Sequence, residues 1–190
     1  MSKISSTVTI GLVANPFSAR DIRRVISNAA GLQVSDRANI VMRVLSAISA
    51  CGVKRVLMMP ENGGIRSFLK RDLQRKQQLG DNCFAELEMT NTPINGTVED
   101  TFAATKAMVD SGVKTIVVLG GDGTHRAVAK VCGQVPIAGI STGTNNAFPE
   151  HREPTITGLA VGLAATGRVP ESVAFTFNKL LCVKINDGER

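Results

Sequence analysis

The chain has 190 residues, 43% of them hydrophobic, which is enough for a buried core, and it carries a formal net charge of +6. No apolar run reaches about 18 residues and the N-terminus MSKISS is polar, so the sequence excludes a membrane span and a secretory signal and predicts a cytoplasmic protein. The positive charge is compatible with nucleic acid, but the lack of Tyr, of Trp and of interleaved aromatic and basic residues argues against that partner.

The first half of the chain alternates between strand and helix signals. TVTIGLVANP, residues 7 to 16, is a β-rich run closed by an Asn-Pro break, which predicts a buried first strand. Apolar residues then repeat at helical spacing from Ile40 to Ile48, and Gly52 ends that helix. The predicted elements of this half are strands at 7–16, 54–60 and 83–89 and helices around 40–48 and at 63–78.

The same alternation continues as far as residue 166. Thr97 and Asp100 are spaced as a capping box at the start of a helix, and the apolar run KTIVVLG is typical of a buried strand. The predicted elements here are helices at 97–110, about 124–132 and 155–166 and strands at 114–120 and 136–140. Strictly alternating strands and helices predict an α/β fold, in which a parallel sheet carries helices on both faces to give three layers.

The pattern changes after residue 170. SVAFTFNKLLCVKI contains two strand-like runs with no helix between them, and Asp187-Gly188 is a strong hairpin-turn signal. We expect residues 1–170 to form an α/β domain and residues 171–190 to open an antiparallel β domain that is truncated here, with its return strand outside this chain.

The cysteines do not indicate a metal site. They lie far apart, without a CxxC pair or a clustered histidine, so reduced buried thiols are the favoured interpretation. The four are Cys51, Cys83, Cys132 and Cys182.

Residues 117 to 129, VVLGGDGTHRAVA, form an apolar run that stops in three glycines around Asp122. A glycine-rich turn between a parallel strand and a helix presents backbone N–H groups and the positive helix N-terminus to an anion such as phosphate. The dinucleotide fingerprint fails because Arg126 stands where a third glycine is needed, and the chain contains no P-loop. These residues therefore predict a phosphate-binding turn of another kind, and residues 1–170 become a candidate nucleotide-binding domain.

Asp122 has two interpretations at this turn. One is structural, with Asp122 or Thr124 capping the helix that follows. The other is chemical, because a carboxylate at the ligand-binding edge of the sheet can accept a proton from a hydroxyl or hold Mg²⁺ beside a triphosphate. A cap needs only one such residue, which favours the chemical interpretation for Asp122.

A resemblance to a known superfamily begins at the same turn. GGDGT, residues 120 to 124, matches the motif shared by NAD kinases, diacylglycerol and sphingosine kinases and, more distantly, phosphofructokinases. ANPFS at 14 to 18 resembles the NPxSG start of the lipid-kinase branch, GTVEDT precedes the earlier helix, and GTNNAF at 143 to 148 resembles the lipid-kinase GTxNDF. Ala147 replaces the acidic residue of that last motif, while HRAVAK and PIAGISTG resemble segments of NAD kinases. The NAD kinase branch is therefore preferred, and the combined motifs resemble the ATP-NAD kinase-like proteins associated with acetoin catabolism.

This resemblance implies an activity. ATP with Mg²⁺ would donate a phosphoryl group to the 2′-hydroxyl of NAD to give NADP, and the partners would be small-molecule nucleotides. It also implies a homo-oligomer formed through the C-terminal β domain, which commonly completes the site in this superfamily, so we expect the 190-residue form to be impaired. Two alternatives stay open: a lipid or other small-alcohol kinase, and a nucleotide-binding regulator without catalysis.

The resemblance also implies roles for individual residues. Asp122 would orient or deprotonate the attacking hydroxyl, and Asn15 would hydrogen-bond the nucleotide from the end of the first strand, unless it only forms a turn before Pro16. His125 is more simply a bystander and Phe148 a packing residue. The phosphate-wrapping residues would be Gly120, Gly121, Gly123 and Thr124, the facing wall would be Gly143, Thr144, Asn145 and Asn146, and Arg126 is a weaker candidate for phosphate charge.

Overall fold

A computed structural model describes residues 7–15, 32–80, 84–143, 146–179, 181, 183–185 and 188–189 of the chain. The strands are β1 Thr9–Ala14, β2 Arg55–Met58, β3 Glu86–Met89, β4 Ile116–Gly120, β5 Ile137–Ser141, β6 Lys184–Ile185 and β7 Gly188–Glu189. The helices are α1 Val34–Ala50, α2 Ile65–Gln78, α3 Val98–Asp110, α4 Asp122–Val131, α5 Pro154–Ala165 and α6 Glu171–Ala174.

The first five strands form one parallel sheet with helices on both faces. Successive residues of β1 point to opposite sides, so Leu12 packs with Leu45 of α1 and Leu69 of α2 in one apolar cluster. Val13 belongs to a second cluster with Met108 of α3 and Val128 of α4. The predicted three-layer α/β fold is confirmed.

The strand order of the sheet is β3-β2-β1-β4-β5, with β1 in the centre. The chain moves outward from β1 to β3 and then crosses back, so that β4 pairs with the other side of β1. Helix α1, the next described element after β1, packs on one face of the sheet and α4, which follows β4, packs on the other, so the carboxyl ends of these two strands form a topological switch point with a crevice. That crevice is where a ligand of this architecture is expected to bind.

The capping roles that the sequence offers at two helix starts are not formed, although the predicted helix start at Thr97 agrees with the structure. Helix α4 begins at Asp122, with Gly121 as its N-cap, so neither Asp122 nor Thr124 occupies the cap. Thr97 is the N-cap of α3, but its side chain makes no capping bond, and Asp100 does not reach back to the Thr97 N–H. Both carboxylate oxygens of Asp100 instead accept from the backbone N–H of Asn95, at 2.9 and 3.0 Å, and one also accepts from Gly96 at 2.7 Å.

The C-terminal predictions are also corrected. The first strand-like run contains helix α6, because Pro170 fixes the N-cap and Glu171 stands in the first turn, where a negative charge is favourable. Strands β6 and β7 pair as antiparallel neighbours, so a return strand does begin inside this chain. Asp187 of the predicted hairpin turn lies outside the described residues, and the division into two domains stays a prediction.

Asp100 stabilises the loop before α3, and replacing it with alanine is expected to cost about 2–3 kcal/mol of the free energy of unfolding. Asp100 is 4% exposed, so its replacement would leave a space in the buried layer and would remove the charged acceptor of the Asn95 and Gly96 N–H groups. Urea denaturation measures the change. Asp110→Ala, at the exposed end of the same helix, is the control and should leave the midpoint almost unchanged; equal midpoints for the two variants would contradict this role.

Across the part of the chain that the structure describes, no helix has both the length and the apolar character needed to cross a bilayer.

Candidate functional site

A cleft of about 260 Å³ lies at the carboxyl ends of β1 and β4, where the sheet topology places a ligand crevice. It is bordered by Asn15 directly after β1, by the N-terminal turn of α3 with Gly96 before it, and by the N-terminal turn of α4. The residues that line it are Asn15, Gly96, Thr97, Val98, Thr101, Gly121, Gly123, Thr124 and Ala127.

The lining of the cleft suits an anion. The N-termini of two helices, α3 and α4, face the same space, and each brings partial positive charge and backbone N–H groups. Three threonines, Thr97, Thr101 and Thr124, add hydroxyl groups, while no lining residue in the described part of the chain is charged or aromatic. A β-carbon built on Gly123 meets nothing within 4 Å, so the backbone there is open to a ligand.

The Asp122 carboxylate faces the loop after β5 and does not line the cleft. One of its oxygens accepts from the Ala147 N–H at 2.9 Å and the other from the Phe148 N–H at 3.0 Å. Since α4 holds Asp122 rigidly, these bonds fix the 146–148 segment against the start of the helix. In this arrangement Asp122 acts as an anchor between the two motif segments GGDGT and GTNNAF.

Asn146 makes the second connection between these segments. Its Oδ1 accepts from the Asp122 N–H at 3.3 Å and its Nδ2 donates to Ser141 Oγ at 2.7 Å. The side chain passes so close to Gly121 that a β-carbon there would lie 2.8 Å from Asn146 Oδ1. Gly121 is therefore needed for close approach of the two loops, and its backbone is extended, with φ of −94°.

His125 is buried beneath the same junction, with a relative exposure of 2%. Its Nδ1 lies 2.9 Å from the Gly121 carbonyl oxygen, and its ring centroid is 5.9 Å from that of Phe148. Burial lowers the pKa of His125, against smaller opposing effects of the Gly121 carbonyl, the Asp122 charge and the Val118 carbonyl. The buried ring thus contacts both motif segments, at Gly121 and at Phe148, and its bystander role toward a ligand stays a prediction.

The lowered pKa of His125 predicts a pH dependence of stability. The unfolded chain, with an ordinary histidine pKa of 6.5, takes up a proton before the folded protein does, so the free energy of unfolding falls as the pH drops below that value. Urea midpoints between pH 8 and about pH 5 would measure this. His125→Gln should flatten the profile and the exposed-site control His151→Gln should not; parallel profiles for both variants would refute the assignment.

The structure brings some of the predicted site residues together and separates others. Asn15, Gly121, Gly123 and Thr124 line one cleft, whereas Gly120 packs against the Thr124 side chain and Gly143 against Asn146. Arg126 is exposed and does not line the cleft, so its phosphate role stays a prediction. Thr144 and Asn145 lie outside the described residues.

Sequence reasoning missed the contribution of the α3 N-terminus. Gly96, Thr97 and Thr101 line the cleft, although the segment GTVEDT was interpreted only as a helix start and as a supporting motif. The available signal was topological, because α3 precedes β4 and its first turn lies at the same edge of the sheet as the GGDGT turn.

Comparison with known proteins agrees with this geometry. The family model described as the ATP-NAD kinase N-terminal domain matches residues 10–169. Acetoin catabolism protein X of Cupriavidus necator is 56% identical over 179 residues, which are 94% of this chain and 50% of that protein, so the chain spans about half the length of this relative. No solved structure matches the chain. With a parallel sheet, a cleft at its switch point and a family match over most of its length, the chain belongs to the NAD kinase family through its N-terminal domain.

Proposed function

We propose that the protein is an ATP-dependent phosphotransferase that transfers a phosphoryl group to the 2′-hydroxyl of NAD and yields NADP. The observation that carries this proposal is the uncharged cleft at the β1–β4 switch point, where the N-termini of α3 and α4 face the same space. Membership of the NAD kinase family supports the choice of donor and acceptor.

The cleft residues fit the phosphate groups of a nucleotide. Helix N-termini and threonine hydroxyls are neutral donors that bind phosphate oxygens, and Gly123 leaves room for them to approach the backbone. Within the described residues no three His, Cys, Asp or Glu side chains gather as a metal site. Mg²⁺ commonly keeps several waters and binds substrate phosphates, and it would enter the cleft together with ATP. When bound, MgATP supplies the phosphoryl group and neutralises its developing charge.

The cleft residues would bind the phosphoryl donor, and Asp122 would act on the acceptor side. Asn15, Thr97 and Thr101 would hold the donor from the β1 and α3 side, and Gly121, Gly123 and Thr124 from the α4 side. Asp122 would position the 146–148 segment by accepting hydrogen bonds from the Ala147 and Phe148 N–H groups. When that segment moves aside, the Asp122 carboxylate would take the proton of the acceptor's hydroxyl group. Most of the rate enhancement in such a transfer comes from holding the two reactants in line.

An assay of the protein, purified in the form in which its own cells make it, tests the proposal. MgATP or polyphosphate would be supplied with NAD, NADH or diacylglycerol as acceptor, and product would be followed chromatographically. We expect NADP from MgATP and NAD. Formation of NADP no faster than in protein-free buffer would overturn the assignment, and phosphorylation of diacylglycerol alone would reassign the protein to the lipid-kinase branch.

A non-catalytic nucleotide-binding regulator is the second candidate, and one contact favours it. Both oxygens of the Asp122 carboxylate accept backbone hydrogen bonds, which is the arrangement of a structural residue. A regulator would bind MgATP with the same dissociation constant in the wild type and in Asp122→Asn, and neither would turn over.

The physiological setting is also a proposal. Because the Cupriavidus relative is named for acetoin catabolism, we place this protein in the same catabolic context. We further propose a cytoplasmic location and a homo-oligomer, which size-exclusion chromatography with light scattering would test.

A further inference from the structure

Arg37 occupies a position that helix stability does not explain. It lies in the first turn of α1, where the helix dipole disfavours a cation, and only 4% of the residue is exposed. Burial of a guanidinium costs free energy that hydrogen bonds must offset. The contacts of this side chain therefore indicate why an arginine stands there.

One of these contacts leads to the cleft. Arg37 Nη1 donates to the carbonyl oxygen of Asn15 at 3.3 Å, directly after β1. Asn15 Nδ2 in turn lies 3.5 Å from Thr101 Oγ1, and both Asn15 and Thr101 line the cleft. A chain of polar contacts thus runs from α1, on one face of the sheet, past the end of β1 to α3 on the other face.

The position of Asn15 needs such support. It is the first residue beyond β1, so the strand hydrogen bonds end before it, and the sequence continues with Pro16, which has no N–H to donate. A guanidinium on its carbonyl fixes the peptide plane from one side, and the amide contact with Thr101 fixes the side chain from the other.

We propose that Arg37 is a positioning residue for the nucleotide cleft, and that it acts by holding the Asn15 backbone so that the Asn15 amide stays oriented toward bound phosphate. This inference rests on the proposed nucleotide-binding function. Arg37 itself does not line the cleft, so its effect on affinity passes through Asn15.

The first measurement uses the ligand-free protein and does not depend on nucleotide. Side-chain amide signals of uniformly ¹⁵N-labelled protein are recorded for the wild type, Arg37→Met and Arg43→Met, with the Asn15 signal assigned by its loss in Asn15→Ala. Arg43 is the matched control because it lies on the same helix, is half exposed and pairs with Glu153. We expect the Asn15 signal to shift in Arg37→Met and to stay in place in Arg43→Met. An unmoved signal in Arg37→Met overturns the inference.

The second measurement is a double-mutant cycle on the dissociation constant for MgATP, obtained by calorimetry. Arg37→Met should weaken binding about tenfold in the wild-type background and less than about twofold in the Asn15→Ala background, because coupled residues are not additive. Equal losses in both backgrounds would overturn the inference and leave a structural role. Arg37→Lys, which keeps the charge but lacks the planar fork, replaces Arg37→Met where that variant does not fold, with the same expected pattern.

The two measurements separate the failure of this inference from that of the proposed function. A wild-type protein that binds no MgATP, with an Asn15 signal that still responds to Arg37→Met, overturns the nucleotide function and retains the Arg37–Asn15 coupling.

Discussion

Asp122→Asn is expected to lower the rate of phosphoryl transfer about 10²- to 10⁴-fold, the range for loss of a positioned acid or base, with the dissociation constant for MgATP changed less than about threefold. The substitution removes the charge and one of the two acceptor oxygens that hold Ala147 and Phe148. MgATP binding should persist because Asp122 does not line the cleft.

Glu150→Gln provides the control for Asp122→Asn. This substitution removes a carboxylate from the same loop. The Glu150 side chain is 74% exposed and, among the described residues, forms an ion pair only with Arg152. We expect wild-type turnover and wild-type affinity. Steady-state rates and calorimetry measure both quantities, and an Asp122→Asn enzyme that turns over as fast as Glu150→Gln would remove Asp122 from the mechanism.

Gly123→Ala is expected to raise the stability of the fold and to weaken the binding of MgATP. Gly123 lies in the first turn of α4 with open space where a β-carbon would stand, so alanine should raise the free energy of unfolding by about 0.5 kcal/mol. The same methyl group projects into the space that bound phosphate would occupy, so affinity for MgATP should fall about tenfold, which corresponds to about 1.4 kcal/mol.

Two further variants serve as comparisons for Gly123→Ala. Lys130→Ala changes an exposed residue in the last turn of the same helix and should leave affinity unchanged. Gly121→Ala would place a methyl group 2.8 Å from Asn146 Oδ1 and should destabilise the junction as well as weaken binding. Undiminished affinity in Gly123→Ala would show that phosphate does not approach α4.

The alternation of strands and helices was predictable because each buried element carries its own periodicity. The apolar run before Gly120 and the helical repeat between Ile40 and Ile48 contain the information locally. The segment after Pro170 was less predictable, since Val173 and Phe175 favour strand while proline and Glu171 start a helix. There the helix-start signal prevailed over β-propensity.

The site was predictable in its residue types and only partly in its contacts. Gly121, Gly123 and Thr124 line the cleft because a strand-to-helix transition positions them there whatever surrounds it, while phosphate binding by them stays a prediction. The bonds from Asp122 to Ala147 and Phe148 join residues 25 and 26 positions apart, and the Arg37 contact with Asn15 joins residues 22 positions apart. The local sequence pattern around each residue does not indicate such tertiary contacts.

The central place of β1 has a consequence for how the protein is made. β1 leaves the ribosome well before its partner β4, which begins only at Ile116, about a hundred residues later. Until then the edge of the apolar strand TIGLVA that pairs with β4 is open and can pair with another chain. Closure of the sheet is therefore a late, long-range event, and the cleft at the ends of β1 and β4, which needs both strand ends, forms only when that event is complete.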